Sequence, residues 1–233
     1  GLDVPIRGTN RVTKLCDVVA TNDRYSAEKY NWLYLPPSYA PDRHKPVESS
    51  ECHDVVVVGT GWRERATCLA SIDWTGIDLA IWGIWPQFMG ASHIALAGRD
   101  IESGRLLAKE TDPEGDKWIT ERLLPHFKGR TAPNEETVQL YAGAKICVND
   151  HRLHPDAQSL NPRVYEILAC GGGLLLTDYR AEIKDLLGEL WQRYVFTDGE
   201  DLESKIRYYL THEDERRWLV EYGRGRVQGQ TFD

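Results

Sequence analysis

The chain has 233 residues and a formal net charge of −8, from 28 Lys and Arg against 36 Asp and Glu. This length allows one large domain or one and a half ordinary ones, and the acidic balance argues against unaided binding to nucleic acid, which requires a basic surface. Apolar residues make up 41% of the chain, but no apolar run approaches the ~20 residues of a membrane span. We therefore expect a water-soluble protein without a membrane span.

The five cysteines are Cys16, Cys52, Cys68, Cys147 and Cys170. Their number is odd and no two of them form a CxxC pair, which argues against a disulfide framework and against a structural zinc site. Cys147 and Cys170 stand in apolar segments and are predicted to be buried. We expect a reducing, cytoplasmic location and no metal site.

The first fifty residues contain short elements and then a linker. Lys14–Thr21 is a short apolar run, Arg24–Tyr30 is a predicted helix, and Trp32–Leu35 is a predicted strand. Pro41–Ser50 is polar and contains proline, which is typical of a linker. This change in composition predicts a domain boundary.

After the linker, strands and helices alternate. The predicted strands are Asp54–Val58, Ile77–Trp82, Lys145–Asn149, Leu174–Thr177 and Tyr194–Thr197, and the predicted helices are Arg63–Trp74, Asn134–Gly143, Asn161–Cys170, Ala181–Leu187, Glu200–Leu210 and Glu213–Val227. No element is predicted from Ile84 to Asp116, and residues 211–214 resemble a capping box. The alternation predicts an α/β fold with a mostly parallel sheet flanked by helices.

Ligands of such folds bind beyond the carboxyl ends of the strands. The residues of interest are therefore expected just after Val58, Trp82, Val148 and Thr177. This expectation is purely geometric, and it directs attention to four short loops.

The helix predicted from Asn161 carries the densest group of polar residues. Asn161 suits an N-cap and Pro162 suits the first turn. Arg163 then stands where the helix dipole disfavours a cation by about 0.3–1 kcal/mol, a cost that a docked phosphate would remove. Glu166 follows on the same face and could accept hydrogen bonds from ribose hydroxyls. The pattern indicates a nucleotide site, although an ordinary Arg–Glu surface pair fits the same spacing.

Gly59, Thr60 and Gly61 follow a buried strand and open a helix that contains Arg63 and Arg65. Glycines in this position allow a phosphate to approach the backbone, and either arginine could reach a diphosphate. The complete GxGxxG motif is absent, so a simple turn with surface arginines remains open.

Three further candidates stand just after predicted strands. His151 could act as an acid, a base or a hydrogen-bond donor near pH 7, and Arg152 follows it directly; a solvated loop pair is the alternative. Asp178 is expected near a bound sugar, or else as the cap of the next helix.

Three stretches carry a resemblance to a known family: AKICVNDHR, NPRVYEILACGGGLLLTDYRAEIKDLL and DLESKIRYYLTHEDERRWLVEYGRGRV. They resemble the C-terminal half of the CgeB-like (spore maturation protein) glycosyltransferases, which belong to the GT-B glycosyltransferases and share the donor-binding domain of glycosyl transferases group 1. The likeness extends over about Asp54 to Val227. Upstream, CDVVATNDRYSAEKY and YLPPSYAPDRHKPV resemble the end of the family's N-terminal domain and its linker.

The resemblance implies a Rossmann-like, GT-B C-terminal (donor) domain over residues 47–233, after a remnant of the N-terminal, acceptor-side domain over residues 1–46. It implies transfer of a sugar from a nucleotide-diphosphate sugar, with a UDP-sugar favoured, to an unidentified acceptor hydroxyl. No metal and no further cofactor are expected.

The resemblance also assigns residues. Glu166 takes the place of the ribose-binding carboxylate, Arg163 and Asn161 lie at the diphosphate, and the loop of Gly59 approaches the donor. Arg130, after Gly129, stands where relatives place a loop near the nucleobase, and the resemblance favours a functional role for His151. A second acidic residue of many relatives is replaced here by Gln158, so the paired-carboxylate signature is incomplete.

In two-domain relatives the base that activates the acceptor often comes from the N-terminal domain. The resemblance therefore implies that activity requires a partner chain or an N-terminal domain. Two alternatives stay open from the sequence: a non-catalytic module that binds nucleotide sugars together with a partner chain, and a GT-B sugar-nucleotide epimerase.

Overall fold

The computed structural model of the chain describes residues 16–85, 113–129, 132, 134–151 and 158–231. The strands are β1 (Ala20–Thr21), β2 (Leu33–Tyr34), β3 (His53–Val58), β4 (Leu79–Trp82), β5 (Phe127–Gly129), β6 (Ala144–Asn149), β7 (Leu174–Asp178) and β8 (Val195–Phe196). The helices are α1 (Arg24–Tyr30), α2 (Arg63–Ser71), α3 (Pro113–Leu123), α4 (Asn134–Gly143), α5 (Pro162–Cys170), α6 (Glu182–Leu187), α7 (Trp191–Tyr194), α8 (Gly199–Thr211) and α9 (Glu213–Val227).

Strands β3 to β8 form a six-stranded sheet in the order β5-β4-β3-β6-β7-β8, and every neighbouring pair is parallel. The predicted α/β fold is confirmed. Counted within this sheet, the order is 3-2-1-4-5-6, which is the Rossmann order. The chain reverses direction across the sheet between β3 and β6, so the crevice at the carboxyl ends of these two strands is the expected ligand site.

The centre of the sheet is buried on both faces. In β3, the side chains of Val55, Val56 and Val57 are all buried, as expected of a parallel strand covered by helices on each side. Cys147 and Cys170 are buried as predicted, and burial raises the pKa of the Cys170 thiol to about 12. These two cysteines therefore act as core residues.

Several element boundaries depart from the prediction. Helix α2 ends at Ser71 because Ile72 takes an extended conformation, with ψ 141°, and Tyr194 ends α7 instead of opening β8. Helix α3 and strand β5 were not predicted. The predicted capping box at residues 211–214 was also wrong. His212 is the N-cap of α9, and the His212 side chain makes no capping bond. Thr211 still belongs to α8, and the Thr211 hydroxyl donates to Tyr208 O at 2.9 Å.

The segment before the linker packs on the sheet domain through α6. The Tyr34 hydroxyl donates to Glu182 Oε1 at 3.0 Å, and Gln158 N donates to Asp23 Oδ1 at 3.2 Å. An exposed ion pair joins Arg24 to Asp185 at 2.8 Å. The described part of the N-terminal segment is thus tied to residues of the sheet domain far along the chain.

In the described ranges, no helix combines the length and apolar character needed to cross a bilayer.

Candidate functional site

The candidate site lies where β3 and β6 end side by side, at the reversal of strand order. The loop after β3 contributes Gly59, Thr60 and Gly61, and the end of β6 contributes Asn149, Asp150 and His151. The first turn of α5 lies against the end of β6, through hydrogen bonds from Asn161 and Arg163 to Asn149, and Arg163 also lies beside Gly59 of the loop after β3. Three segments far apart in sequence therefore meet around one crevice.

Gly59 lies directly against two guanidinium groups. Its φ of 151° is a conformation that favours glycine. A Cβ added here would stand 2.6 Å from Arg65 Nη1 and 3.4 Å from Arg163 Cζ. The close approach of the backbone to two cations depends on the missing side chain, which explains the glycine that opens the loop.

The loop after β3 is held by Arg65 and by a tryptophan. Arg65 Nη1 donates to Thr60 O at 2.7 Å, which fixes the middle of the loop. A Cβ at Gly61 would stand 2.3 Å from the ring of Trp85, a side chain that is completely buried. Gly59 and Gly61 therefore allow two different close contacts, one with charged groups and one with the core.

Arg65 is buried, with 5% of its surface exposed. Its Nε donates to Asp150 Oδ1 and its Nη2 donates to Asp150 O at 2.8 Å. Burial raises the pKa of Asp150, while Arg65 acts in the opposite direction. Arg65 thus serves to fix the loops after β3 and β6 relative to each other.

The predicted N-cap of α5 is confirmed. Asn161 has an extended conformation and its Oδ1 accepts from Val164 N at 3.3 Å. Its Nδ2 donates to Asn149 Oδ1 at 3.2 Å and to Asp150 O at 3.4 Å. The positive end of the α5 dipole is thereby held at the carboxyl end of β6, where it favours an anion.

Arg163 and Glu166 lie on the first two turns of α5 and are both partly exposed. Arg163 Nη1 donates to Asn149 Oδ1 at 3.4 Å, which leaves most of its guanidinium donors for a ligand. Glu166 forms no hydrogen bond or ion pair with any residue in the described ranges. One group that the Glu166 charge affects is His44: burial lowers the pKa of His44, and the Glu166 charge raises it.

His151 is 9% exposed and both of its ring nitrogens are engaged. Nδ1 lies 2.6 Å from Asp178 Oδ1, and Nε2 accepts from Asn161 N at 2.9 Å. Asp178 also accepts from His151 N at 2.9 Å. Asp178 therefore does not cap α6 but binds His151 in the loop after β6.

The remaining predicted residues are placed as follows. Arg63 Nη1 donates to Asp116 Oδ1 of α3 at 2.7 Å, so it joins two helices at the edge of the crevice. Arg130 and Arg152 lie outside the described residues.

The sequence did not predict the pairing of Asp150 with Arg65. Two signals could have indicated this pair: Asp150 comes directly after a buried strand, and Arg65 lies on the buried face of a helix.

Among the described residues, no group of three or more His, Cys, Asp and Glu side chains is placed to hold a metal ion.

Comparison with solved structures places the fold among the GT-B glycosyltransferases. An alpha-glucosyltransferase in complex with UDP-glucose and DNA containing an abasic site superposes with a TM-score of 0.59 and 14% identity, over 94% of this chain and 62% of that one. AviGT4, a glycosyltransferase involved in avilamycin A biosynthesis, superposes with a TM-score of 0.53 and 14% identity, over 89% of this chain and 58% of that one. T4 phage beta-glucosyltransferase superposes with a TM-score of 0.49 and 13% identity, over 87% of this chain and 56% of that one. At sequence identities of 13% and 14%, the similarity to these proteins shows a shared fold only.

The chain spans less than two thirds of the length of these three proteins. No curated protein matches its sequence. A family model described as glycosyl transferase-like matches residues 44–232, which is most of the chain. The chain belongs to the glycosyl transferase-like family.

Proposed function

We propose that this chain is the donor-binding part of a glycosyltransferase, which takes a nucleotide-diphosphate sugar, with a UDP-sugar favoured, and transfers the sugar to an acceptor hydroxyl. One observation carries the proposal: the glycine loop after β3 faces the N-terminus of α5, with Arg163 beside Gly59, at the reversal of strand order. Such a crevice is where Rossmann-like folds bind nucleotides.

The proposal gives each binding residue a role that this geometry supports. The first turn of α5, capped by Asn161, and the free donors of Arg163 hold the diphosphate, because a helix N-terminus and a guanidinium both favour anionic oxygens. Glu166, one turn further on the same helix, accepts from the ribose hydroxyls. The absence of a hydrogen bond from Glu166 to other described residues supports this assignment.

The transfer step needs stabilisation of the leaving group and activation of the acceptor. The acceptor oxygen forms a bond to the anomeric carbon while the bond to the diphosphate oxygen breaks, and the nucleotide diphosphate leaves with that electron pair. Arg163 and the α5 terminus stabilise its charge without requiring a metal. The acceptor proton passes to a base, which we place in the acceptor-side domain or a partner chain.

We further propose that the chain is CgeB-like, that residues 1–46 end the acceptor-side domain and its linker, and that residues 47–233 form the donor domain. The contacts of Asp23 and Tyr34 with the sheet domain support an arrangement in which the two parts stay together. A cytoplasmic location is part of the proposal, supported by five free cysteines.

Calorimetry with UDP, UMP and UDP-glucose tests the proposal. We expect binding, with UDP tighter than UMP because the second phosphate reaches Arg163, and a rise in melting temperature of the protein with ligand concentration. At 100 times Kd the stabilisation is about 2.7 kcal/mol. If no nucleotide binds at millimolar concentration, the proposal is wrong.

One observation favours the non-catalytic alternative, a binding module that acts with a partner chain. Both ring nitrogens of His151 are engaged inside the protein, so this histidine offers no free base. Hydrolysis of UDP-glucose, or sugar transfer, by the purified chain would exclude this alternative; conversion of the donor sugar to its epimer would indicate an epimerase.

A further inference from the structure

His151 connects three elements of the proposed donor site. Its backbone follows β6, its Nδ1 meets Asp178 at the end of β7, and its Nε2 meets the backbone of Asn161, the N-cap of α5. His151 and Asn161 stand ten positions apart in the chain. A second side chain, that of Asn149, also joins these elements: its Nδ2 donates to Thr177 Oγ1 of β7, and its Oδ1 accepts from Asn161 Nδ2 and Arg163 Nη1.

The donor and acceptor roles in this contact follow from chemistry. A backbone N–H can only donate, so the Nε2 that faces Asn161 N must carry a lone pair and no proton. The ring proton of a neutral imidazole then lies on Nδ1, which donates to the carboxylate of Asp178. A single neutral tautomer satisfies both contacts.

We propose that His151 is a positioning residue: in its neutral Nδ1–H form it fixes the first turn of α5, and so orients the amides and Arg163 that receive the diphosphate. The inference rests on the proposed function, since it concerns the same site. It assigns to His151 no proton transfer to or from the substrate.

The bond to His151 holds the backbone of the N-cap, whereas the other contacts hold its side chain. Asn161 Nδ2 donates to Asn149 and Asp150 at the end of β6, and Asn149 in turn donates to Thr177 of β7. The bond through His151 fixes the backbone N–H of Asn161, and Asp178 of β7 binds both the ring and the backbone N–H of His151. Loss of this bond would leave the N-cap held to the strands through its side chain alone, with more freedom for Arg163.

The contact requires an unprotonated Nε2, because a proton there would place two N–H groups against each other at 2.9 Å. The charged groups around the ring are Asp178 of β7, with Arg180 at 3.5 Å from it, and Asp150 at the end of β6, paired with Arg65.

Three substitutions test the contacts of the two ring nitrogens of His151 separately. His151→Gln can place an acceptor oxygen where Nε2 was, and so keeps the bond from Asn161 N. His151→Asn can only reproduce the donor at Nδ1, and His151→Ala removes both. With UDP-glucose as the probe in calorimetry, we expect His151→Gln to bind within about threefold of the wild type, and the Asn and Ala variants to bind at least tenfold more weakly. His53→Gln, at the opposite end of β3, is the control.

If the Gln variant binds as weakly as the Ala variant, the inference is wrong. Unchanged binding in all three variants, with turnover lost in each, would instead show a general base and would also overturn it.

A ligand-free measurement separates this inference from the proposed function. Nitrogen-15 NMR of the ring should show a protonated Nδ1 and a bare Nε2 at neutral pH. Exchange of the Asn161 amide proton should be at least tenfold slower in the wild type and His151→Gln than in His151→Asn. A protonated Nε2 overturns the inference. A wild type with the expected tautomer and amide protection, but without affinity for UDP-glucose, refutes the donor site and leaves the positioning of α5 standing.

Discussion

Arg65 contacts Asp150 at two points, since its Nε donates to the carboxylate and its Nη2 to the backbone oxygen at 2.8 Å. The two residues stand 85 positions apart in the chain. Through this pair, the helix after β3 is joined to the end of β6, on the two sides of the crevice in which the donor is proposed to bind. The shape of the crevice therefore depends on a buried charge pair.

Replacing Arg65 by Met should destabilise the protein by about 3 kcal/mol, because it leaves the largely buried carboxylate of Asp150 without its partner. Arg63→Met is the matched control: Arg63 lies on the same turn, and its pair with Asp116 is more exposed, so a change below about 1 kcal/mol is expected. Urea unfolding followed by circular dichroism measures both. Equal losses in the two variants would contradict the assigned role of Arg65.

The destabilisation should also depend on pH. Burial raises the pKa of Asp150, and Arg65 counteracts this rise, so the pKa rises further in Arg65→Met. When the pKa of a carboxyl is higher in the folded protein than in the unfolded one, the protein gains stability as the pH falls through the folded pKa, because the buried carboxyl becomes neutral. The difference in unfolding free energy between wild type and variant should therefore be largest at neutral pH and shrink towards about pH 4. A constant difference across that window would argue against a buried Asp150 charge.

Glu166→Gln should weaken binding of UDP by about 1–3 kcal/mol, since a charged acceptor for the ribose hydroxyls becomes neutral. Stability should change by less than about 0.5 kcal/mol, because the carboxylate makes no hydrogen bond to the described residues. Calorimetry measures the affinity, and the exposed Glu64→Gln on α2 should leave it unchanged. NMR titration provides a second check: without the Glu166 charge, which raises the pKa of His44, that pKa should fall.

Gly59→Ala should impair both folding and nucleotide binding. The φ of 151° is strained for alanine, and the new Cβ would meet the guanidinium of Arg65 at 2.6 Å, so we expect a loss of about 1–3 kcal/mol of stability. Gly225→Ala is the contrasting control: a Cβ at this helical glycine meets nothing within 4 Å, and the substitution should stabilise α9 by about 0.5–1 kcal/mol. Thermal unfolding with and without UDP measures both effects, and a harmless Gly59→Ala would refute the described packing of the loop.

Tyr34→Phe should loosen the N-terminal segment. The Tyr34 hydroxyl donates to Glu182, a buried carboxylate, and its loss should cost about 1–2 kcal/mol. Burial raises the pKa of Glu182, and the bond from Tyr34 lowers it, so the variant should recover part of its stability at acid pH. Chemical denaturation at two pH values measures this. Tyr179→Phe removes a hydroxyl from an exposed ring and should leave stability within about 0.5 kcal/mol.

Local signals in the sequence were enough for much of the fold. The bounds of α1 and α9 and the cap of α5 agree with the prediction, because periodicity and capping act within a few residues. The capping box at residues 211–214 failed because the preceding helix extends through Thr211, and a local pattern does not show where a neighbouring helix ends. Helix α3 was missed because its start lies next to a stretch of mixed polarity, glycine and proline without a clear period.

Part of the geometry of the candidate site could be predicted for the same reason. The loop of Gly59 and the turn of Asn161 and Arg163 were found from strand ends and capping chemistry, and the structure brings them together. The sequence suggested a catalytic role for His151, and a place near the sugar or at a helix cap for Asp178. In the structure, Asp178 caps no helix, and the two residues bind each other, 27 positions apart. That contact depends on β6 and β7 being neighbours, which no spacing within either segment reveals.

By itself, the sequence determined the alternation of strands and helices, the burial of the valine-rich strand and the capped helix with its arginine, because each arises from interactions among residues close in the chain. Tertiary structure alone decided the pairing of Arg65 with Asp150, the contact of His151 with Asp178 and the approach of Arg163 to Gly59. These depend on the order of strands in the sheet, since that order determines which strand ends, and which buried charges, come within hydrogen-bonding distance.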